Sequence, residues 1–285
     1  MRIDAHHHVW RLARGDYGWL TPALGPIHRD FAPSDLAPLL AARGIGATIL
    51  VQAAATEAET CFLLDVAAVT PFVAGVVGWT GLTAPDAPAR VAAMAENPLL
   101  VGLRPMVQDI PDDDWLLRPD LAPGLEAMAR HGLVLDALVL PRHLPRLSVV
   151  AGRHPDLAIV VDHLAKPPVR EGRLDPWRTD LAALAALPNL WCKLSGLATE
   201  AAPDWQVTDL APYAAAALAL FGPRRVLWGS DWPVVNLAGG YGRWWAATEA
   251  LLAGLPETER AAVLGGNAAA LYLSRGRGRR GDAPC

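Results

Sequence analysis

The chain has 285 residues, of which 52% are hydrophobic and 19% charged, so it contains enough apolar material for one large buried core. Its formal net charge is −4 and no basic face is concentrated in it, which argues against a nucleic acid as the main partner. The N-terminus lacks a signal-peptide pattern and no apolar run is long enough to span a membrane, so we expect a cytoplasmic protein without membrane contact.

Eight short apolar or β-branched runs recur along the chain, and strands this apolar are typical of parallel sheets that are buried on both faces. The runs begin at Arg2, Ala47, Phe72, Leu100, Leu133, Ala158, Leu190 and Val226. Helix-like segments separate them, and this repeated alternation predicts a single-domain (β/α)8 TIM barrel over residues 1–273. Residues 274–285 are rich in glycine and arginine and are predicted to form a disordered basic tail.

Local signals refine this picture at the first strand-to-helix connections. Ser34 is the predicted N-cap of the first helix, and Thr56 with Glu59 has the spacing of a capping box. We therefore assign Glu59 to helix capping rather than to catalysis. Residues 11–29 are too irregular for a helix and form a predicted loop over the face where barrel active sites lie. This loop is expected to set substrate choice, with residues 237–242 as the alternative.

Nearly every predicted strand ends in a polar side chain. In a (β/α)8 barrel the carboxyl ends of the strands converge on one pocket. Burying so many polar groups there costs desolvation free energy and brings no evident gain in stability, so the pattern indicates a functional site. The residues concerned are His6, His8, Gln52, Arg104, Asp136, His163, Lys166, Lys193, Ser195 and Asp231.

The first strand carries three consecutive histidines in the stretch DAHHHVW. Side chains two apart in a strand share a face, so His6 and His8 should point the same way, together with Asp4. His7 should point the opposite way and be dispensable for chemistry.

His6, His8, His163 and Asp231 form the predicted catalytic constellation. Three imidazoles and a carboxylate suit one divalent metal ion, with Zn²⁺ as the first choice. Such an ion polarises a carbonyl group and acidifies a bound water molecule. Asp231 is then the predicted general base that accepts the water proton.

The chain also resembles the sugar-lactonase branch of the amidohydrolase superfamily. This branch contains L-fuconolactone, L-rhamnonolactone, sulfomuconolactone and pyrone-dicarboxylate hydrolases. The resemblance spans residues 2–273 and is carried, in chain order, by the motifs DAHHHVW, VQA, GVVGW, DHLAKP, CKLSGL and GSDWP. It implies a barrel enzyme in which His6 and His8 are the histidine pair of strand one, His163 is the "DH" histidine and Asp231 ends strand eight.

One departure from the wider superfamily concerns the number of metal ions. Binuclear members carry a bridging lysine or glutamate and two further histidines, whereas the middle strands here offer Arg104 and Asp136. The departure argues against a two-metal site. The resemblance further implies that a member of this branch can work without metal, its ligand-like residues then acting as hydrogen-bond donors and electrostatic stabilisers.

Further strand-end residues are predicted to bind the substrate. Arg104 can fork onto a carboxylate or carbonyl oxygen, and Lys193 and Ser195 share one strand face. Gln52 and Lys166 are equally compatible with substrate binding and with a structural role. The predicted sugar-packing aromatic residues at strand ends are Trp10, Trp79 and Trp232.

These observations together predict a hydrolase that opens a sugar-acid lactone or a related lactone. Water activated by Asp231, with or without one divalent ion, attacks the lactone carbonyl. A lactone isomerase or a decarboxylase on the same barrel is the alternative, and a non-catalytic binding protein is a remote one. A small-molecule lactone is the expected partner.

Overall fold

The computed structural model describes residues 1–274, so all but the first residue of the predicted tail lies outside the described residues. Eight parallel strands follow one another around a single sheet in chain order, as the sequence predicts. They are β1 Arg2–His7, β2 Ile45–Val51, β3 Val73–Gly78, β4 Leu100–Leu103, β5 Val134–Ala137, β6 Ile159–Val161, β7 Leu190–Leu194 and β8 Val226–Trp228. β1 meets β8 through the backbone at their carboxyl ends, where His8 N donates to Trp232 O (2.7 Å) and Asp231 N donates to His6 O (2.8 Å). The prediction of a (β/α)8 barrel is therefore confirmed.

Helices cover the outside of the barrel and bury the outward faces of the strands in one large apolar cluster. The helices are α1 Pro33–Ala41, α2 Glu57–Ala68, α3 Ala87–Met94, α4 Ala122–His131, α5 Leu144–Arg153, α6 Trp177–Ala185, α7 Leu197–Glu200, α8 Val207–Phe221, α9 Gly240–Leu251, α10 Glu257–Ala261 and α11 Asn267–Tyr272. Within residues 1–274, no helix combines the length and apolarity needed to cross a membrane.

Two capping predictions need correction. α1 begins at Pro33, and its start is held by the Asp35 carboxylate, which accepts from the backbone N–H of Ala32 (2.8 Å), so Ser34 is not the N-cap. Thr56 does cap α2, since its hydroxyl accepts from Glu59 N (3.1 Å). The Glu59 side chain takes no part in that cap and points instead into the loop after β2.

The predicted alternation in β1 is also wrong at one position. A register irregularity lies between Asp4 and His7, and such a bulge breaks the two-residue period. Asp4 accepts hydrogen bonds from the backbone N–H groups of His6 (3.2 Å) and Ser230 (2.8 Å) and from the Tyr241 hydroxyl (3.1 Å), so its carboxylate supports the backbone instead of joining the catalytic side chains. The His7 ring contacts Thr48 Oγ1 (2.9 Å) and is fully buried.

The centre of the barrel holds a buried ion-pair network. Lys193 Nζ lies 2.5 Å from Asp136 Oδ2 and 2.8 Å from Asp162 Oδ1, and all three side chains are fully buried. Tyr272, from the helix that closes the other end of the barrel, donates to Asp136 (2.8 Å). Burial acts to lower the pKa of Lys193, but the two carboxylates outweigh it and the pKa is raised. Lys193 is therefore an internal cation.

We expect Lys193→Met to destabilise the protein strongly. It leaves Asp136 buried without its counterion and Asp162 with Arg104 alone, and breaking a buried pair in this way costs about 3–5 kcal/mol. The measurement is the free energy of unfolding in urea. Lys193→Met combined with Asp136→Asn should recover part of the loss, because one buried charge is then removed.

The control is Arg118→Met, which breaks an ion pair with Asp120 whose two side chains are each 46% exposed. An exposed pair is screened by solvent and contributes little to stability. Equal losses in Lys193→Met and Arg118→Met would contradict the central role of the buried network.

His7 should make stability depend on pH in a predictable direction. Burial, followed by the influence of His8, lowers the pKa of His7 to about 3. The unfolded chain binds a proton at His7 near pH 6.5, whereas the folded chain does not, so acid favours unfolding. Between pH 7.5 and 5.5 the wild type should lose about 1.4 kcal/mol more than His7→Gln.

Urea unfolding of both proteins at the two pH values checks this. The other histidines contribute equally to both proteins, so the difference isolates His7. Parallel pH profiles would show that His7 is not held buried and uncharged.

Candidate active site

Four side chains converge at the carboxyl end of the barrel. His6 Nε2 lies 3.2 Å from His8 Nε2 and 3.7 Å from Asp231 Oδ1, and His8 Nε2 lies 3.3 Å from the same carboxylate oxygen. His163 joins them, since one potential ligand atom each of His6, His163 and Asp231 lies within 4.8 Å of the others. The structure thus brings all four residues of the predicted constellation together.

The backbone around these residues is strained, because several non-glycine residues adopt left-handed conformations. Four consecutive residues, 163–166, have positive φ values between 51° and 58°, and Asp231 has φ of 57°. Left-handed backbone costs about 1–2 kcal/mol per non-glycine residue. Such strain persists only where the surrounding structure imposes it, and it clusters at functional sites. The tight turn after β6 presents His163 to the centre of the barrel end.

Two glycines make room for the histidines. A Cβ atom at Gly196 would lie 2.7 Å from the His163 ring, and one at Gly229 would lie 2.6 Å from His6 Cβ. Both distances are shorter than side-chain packing allows. The loops after β7 and β8 therefore press directly against the histidines and fix where they stand.

Hydrogen bonds on the far side of two rings orient them, and the bond at His8 also sets its tautomer. His8 Nδ1 lies 2.8 Å from Val51 O, and a carbonyl can only accept, so Nδ1 carries the proton and the Nε2 lone pair faces the site. His163 Nδ1 lies 2.8 Å from Ser195 Oγ, which orients that ring in the same manner. Partners of this kind are typical of histidines that bind metal ions.

Burial keeps His6 and His163 uncharged while the carboxylate of Asp231 stays ionised. It lowers the pKa of His6 well below its usual range and that of His163 to about 4. Burial acts to raise the pKa of Asp231, but the facing histidines, His163 first, outweigh it and hold the pKa below its usual range. Neutral imidazoles and a carboxylate are the ligand forms that a divalent ion requires.

The residues present fit one divalent ion. The His8 Nε2 lone pair and the Asp231 oxygen face each other, and His6 Nε2 completes a triangle with sides of 3.2–3.7 Å. Such electron-rich atoms repel one another unless a cation or a proton lies between them. The donor set is of the His and Asp type that suits zinc.

A second group of possible ligands, His6, Asp136 and Asp162, lies deeper in the barrel. The ammonium of Lys193 already lies among these atoms, since its Nζ is also 3.3 Å from His6 Nδ1. The charge that a second metal ion would bring is therefore supplied by the protein itself.

A cavity of about 170 Å³ lies against three of the four central residues, and His6 lies behind them. Among the residues of the predicted site, those that line it are His8, Arg104, His163, Lys166 and Asp231. Arg104 NH1 lies 3.4 Å from both His6 Nε2 and Asp162 Oδ2, so the guanidinium is held at the cavity wall.

Other residues of the predicted substrate site lie behind this wall. Gln52 is fully buried and donates to Arg104 O (2.7 Å), while Lys193 lies beneath the site and Ser195 lies behind His163. Trp10 and Trp232 are at most 2% exposed and support their neighbours instead of offering a face to a ligand.

The stacking partner of Trp10 is the His8 ring, with centroids 6.3 Å apart. Trp79 is half-buried and lines a separate, larger cavity of about 520 Å³.

Sequence reasoning missed several residues at the pocket. Trp19 lines the 170 Å³ cavity, is 38% exposed and donates through Nε1 to Ala53 O (2.7 Å). It lies in the loop 11–29, whose predicted position was the only available signal. Gln108 and Met106 line the cavity from the loop after β4, and no motif marks them.

Two buried carboxylates were also missed or misassigned. Asp162 precedes His163 directly, and its acidic side chain at a strand end was a signal for the pairing with Lys193. Glu59 accepts hydrogen bonds from Ala53 N (3.0 Å) and Ala54 N (2.6 Å), and burial raises its pKa to about 7. Its role is to shape the loop after β2, which also forms part of the cavity wall.

The chain has clear relatives among known proteins. A curated L-fucono-1,5-lactonase from Burkholderia ambifaria is 50% identical over 275 residues, which cover 95% of each chain. An L-fucono-1,5-lactonase from Burkholderia multivorans is 40% identical, with 95% of this chain and 96% of the relative covered. The crystal structure of an amidohydrolase from Burkholderia multivorans with bound zinc has a TM-score of 0.90 and 40% identity, covering 96% of this chain and 99% of that one. The family model described as amidohydrolase matches residues 3–273, and the chain therefore belongs to the amidohydrolase family.

Proposed function

We propose that the protein hydrolyses L-fucono-1,5-lactone or a closely similar neutral sugar lactone to the open sugar acid. The broader prediction of a lactone-opening hydrolase is confirmed by the two curated relatives, both of which are lactonases. The observation that carries the mechanism is the convergence of His6, His8 and Asp231 within 3.7 Å, with His8 and Asp231 lining a small cavity.

The cavity suits a single hydroxyl-bearing ring. Its volume of about 170 Å³ lies below the range of about 300–1,000 Å³ typical of drug-sized ligands. Among the described residues, Arg104 Nε and Gln108 Oε1 are buried without a hydrogen-bond partner. An unpaired buried donor and acceptor are groups that hydroxyl and carbonyl oxygens of a sugar lactone can satisfy.

Asp231 is the group that handles the proton. It accepts a proton from water while the water oxygen attacks the lactone carbonyl carbon. The ring C–O bond then breaks, and the proton passes from Asp231 to the departing ring oxygen, which leaves as a hydroxyl group. Arg104 is placed to hold the substrate and to offset negative charge on the carbonyl oxygen.

One zinc ion is the proposed cofactor, held by His6, His8, His163 and Asp231. When bound, it supplies Lewis acidity to the lactone carbonyl and to water. The donor set and the bound zinc in the Burkholderia multivorans amidohydrolase structure support this choice. Lys166 and Arg104 supply positive charge at the cavity wall whether or not the ion is required.

The first test examines both the proposed substrate and the role of Asp231 as the general base. The wild type should release acid from L-fucono-1,5-lactone, and NMR of the product should show the open sugar acid. A lactone isomerase would instead give a product of unchanged mass, and a decarboxylase would release carbon dioxide. Asp231→Asn keeps the shape but loses the proton acceptor, so kcat should fall by about 10²- to 10⁴-fold. Near-normal turnover by a folded Asp231→Asn protein would disprove the mechanism.

The second test concerns the metal. Elemental analysis after dialysis against zinc should find one zinc ion per chain. Treatment with a chelator should abolish turnover, and adding zinc or manganese should restore it. Ser195→Ala removes the partner of His163 Nδ1 and should weaken zinc binding by about 10- to 100-fold.

Ser34→Ala, on an exposed serine, is the matched control and should bind zinc as the wild type does. Full activity in the presence of a chelator would show instead that the residues act without metal, as hydrogen-bond donors and electrostatic stabilisers.

A further inference from the structure

A second cavity of about 520 Å³ lies beside the active-site cavity of about 170 Å³ and is roughly three times larger. The two share four lining residues, Trp19, Ala53, Met106 and Asp109. Trp19 and Asp109 are exposed and Met106 is half-buried, so the shared wall reaches solvent and the cavities adjoin there. We call the larger cavity the side chamber. Beyond the shared wall, its most informative lining residues are Asp16, Trp79, Leu82, Thr83, Ile110 and Trp115.

Three indole rings characterise the side chamber. Trp19 is held in place by its bond to Ala53 O and by an edge-on contact with Trp10, with ring centroids 5.5 Å apart. Trp79 and Trp115 are half-buried, so part of each side chain remains free for a ligand. Rigid aromatic faces of this kind pack against flat apolar surfaces, including the C–H side of a sugar ring.

The polar groups of the side chamber indicate a neutral ligand with hydroxyl groups. Asp16 Oδ2 pairs with Arg14 (2.6 Å), whereas Asp16 Oδ1 is buried and has no hydrogen-bond partner among the described residues. A carboxylate oxygen can only accept, so its natural partner is a hydroxyl donor. Asp16 and Asp109 both carry negative charge, which disfavours an anionic ligand.

We propose that the side chamber binds a second sugar ring that is attached to the lactone. The inference rests on the proposed lactone hydrolysis and extends its substrate class to glycosyl-substituted sugar lactones. The lactone ring occupies the small cavity beside Asp231, and the second ring lies against the indoles with a hydroxyl group donated to Asp16. The bond that breaks is still the lactone C–O bond, and the glycosidic bond stays intact.

The test compares L-fucono-1,5-lactone with its three glucosyl derivatives, substituted at O2, O3 or O4. At least one derivative should be hydrolysed with a kcat/KM no lower than that of the parent lactone. Trp115→Ala should lower kcat/KM for that derivative by about three- to tenfold, mainly through KM, and leave the parent lactone unchanged. Trp115→Phe is the matched control, because it keeps an aromatic face and should retain most of the effect.

A second variant tests the inference independently, in case Trp115→Ala does not fold. Thr83 is half-buried and lines only the side chamber, so Thr83→Trp should fill it, exclude the derivative and spare the parent lactone. Turnover of the parent lactone without turnover of any derivative would overturn the inference. Equal losses for parent and derivative in Trp115→Ala would do the same.

A binding measurement separates this inference from the proposed function. Saturation-transfer NMR with the glucosyl sugar acids, which need no hydrolysis, should show contact at protons of the second ring in the wild type and less in Trp115→Ala. If the parent lactone is not hydrolysed, the proposed function fails, while this signal still decides whether the side chamber holds a ring. A wild type without the signal would overturn the inference independently of activity.

Discussion

The buried ammonium of Lys193 is the interaction on which the rest of the site depends. It neutralises Asp136 and Asp162 in the centre of the barrel, where an unpaired carboxylate would be very costly. Burial acts to raise the pKa of Asp162, but Lys193, followed by His6, outweighs it and holds the pKa well below its usual range. The Lys193 ammonium (3.3 Å) and Asp162 Oδ1 (3.6 Å) both lie beside His6 Nδ1, so the buried ion pair fixes the position of the His6 ring beneath the catalytic centre.

Polar and charged groups are therefore layered along the axis of the barrel. Tyr272 and Asp136 lie deepest, Lys193 follows, and Asp162 and His6 come next. Asp231 and the open cavity lie at the carboxyl end. Because Lys193 and Arg104 offset the charges of Asp136 and Asp162, the site can concentrate polar groups in a barrel whose remaining interior is apolar. The same arrangement explains why one metal site is available instead of two, since an ammonium lies among the ligand atoms of the second.

The sequence was informative where a local pattern maps directly onto geometry. Apolar runs predicted all eight strands, and polar strand ends identified the four residues that converge. It was misleading where geometry depends on distant chain segments. Asp4 left the predicted face because of a bulge in β1, and Trp10 and Trp232 became buried because Phe31 packs against both. The side chamber was not predictable, since Trp19, Met106 and Trp115 come from loops without a periodic pattern.

Rigidity is distributed unevenly around the two cavities, and this difference bears on specificity. The catalytic wall is fixed by a left-handed turn at residues 163–166, by glycines 196 and 229 in contact with histidines, and by buried ion pairs. The shared wall is built differently: Trp19 is held by its bond to Ala53 O, whereas the side chain of Met106 adapts readily to different shapes. A fixed reacting centre beside an adaptable wall lets the chemistry stay constant while the groups attached to the lactone vary. The loops that carry Trp19 and Met106 can then change substrate preference without disturbing the charge layers that hold Asp231 in place.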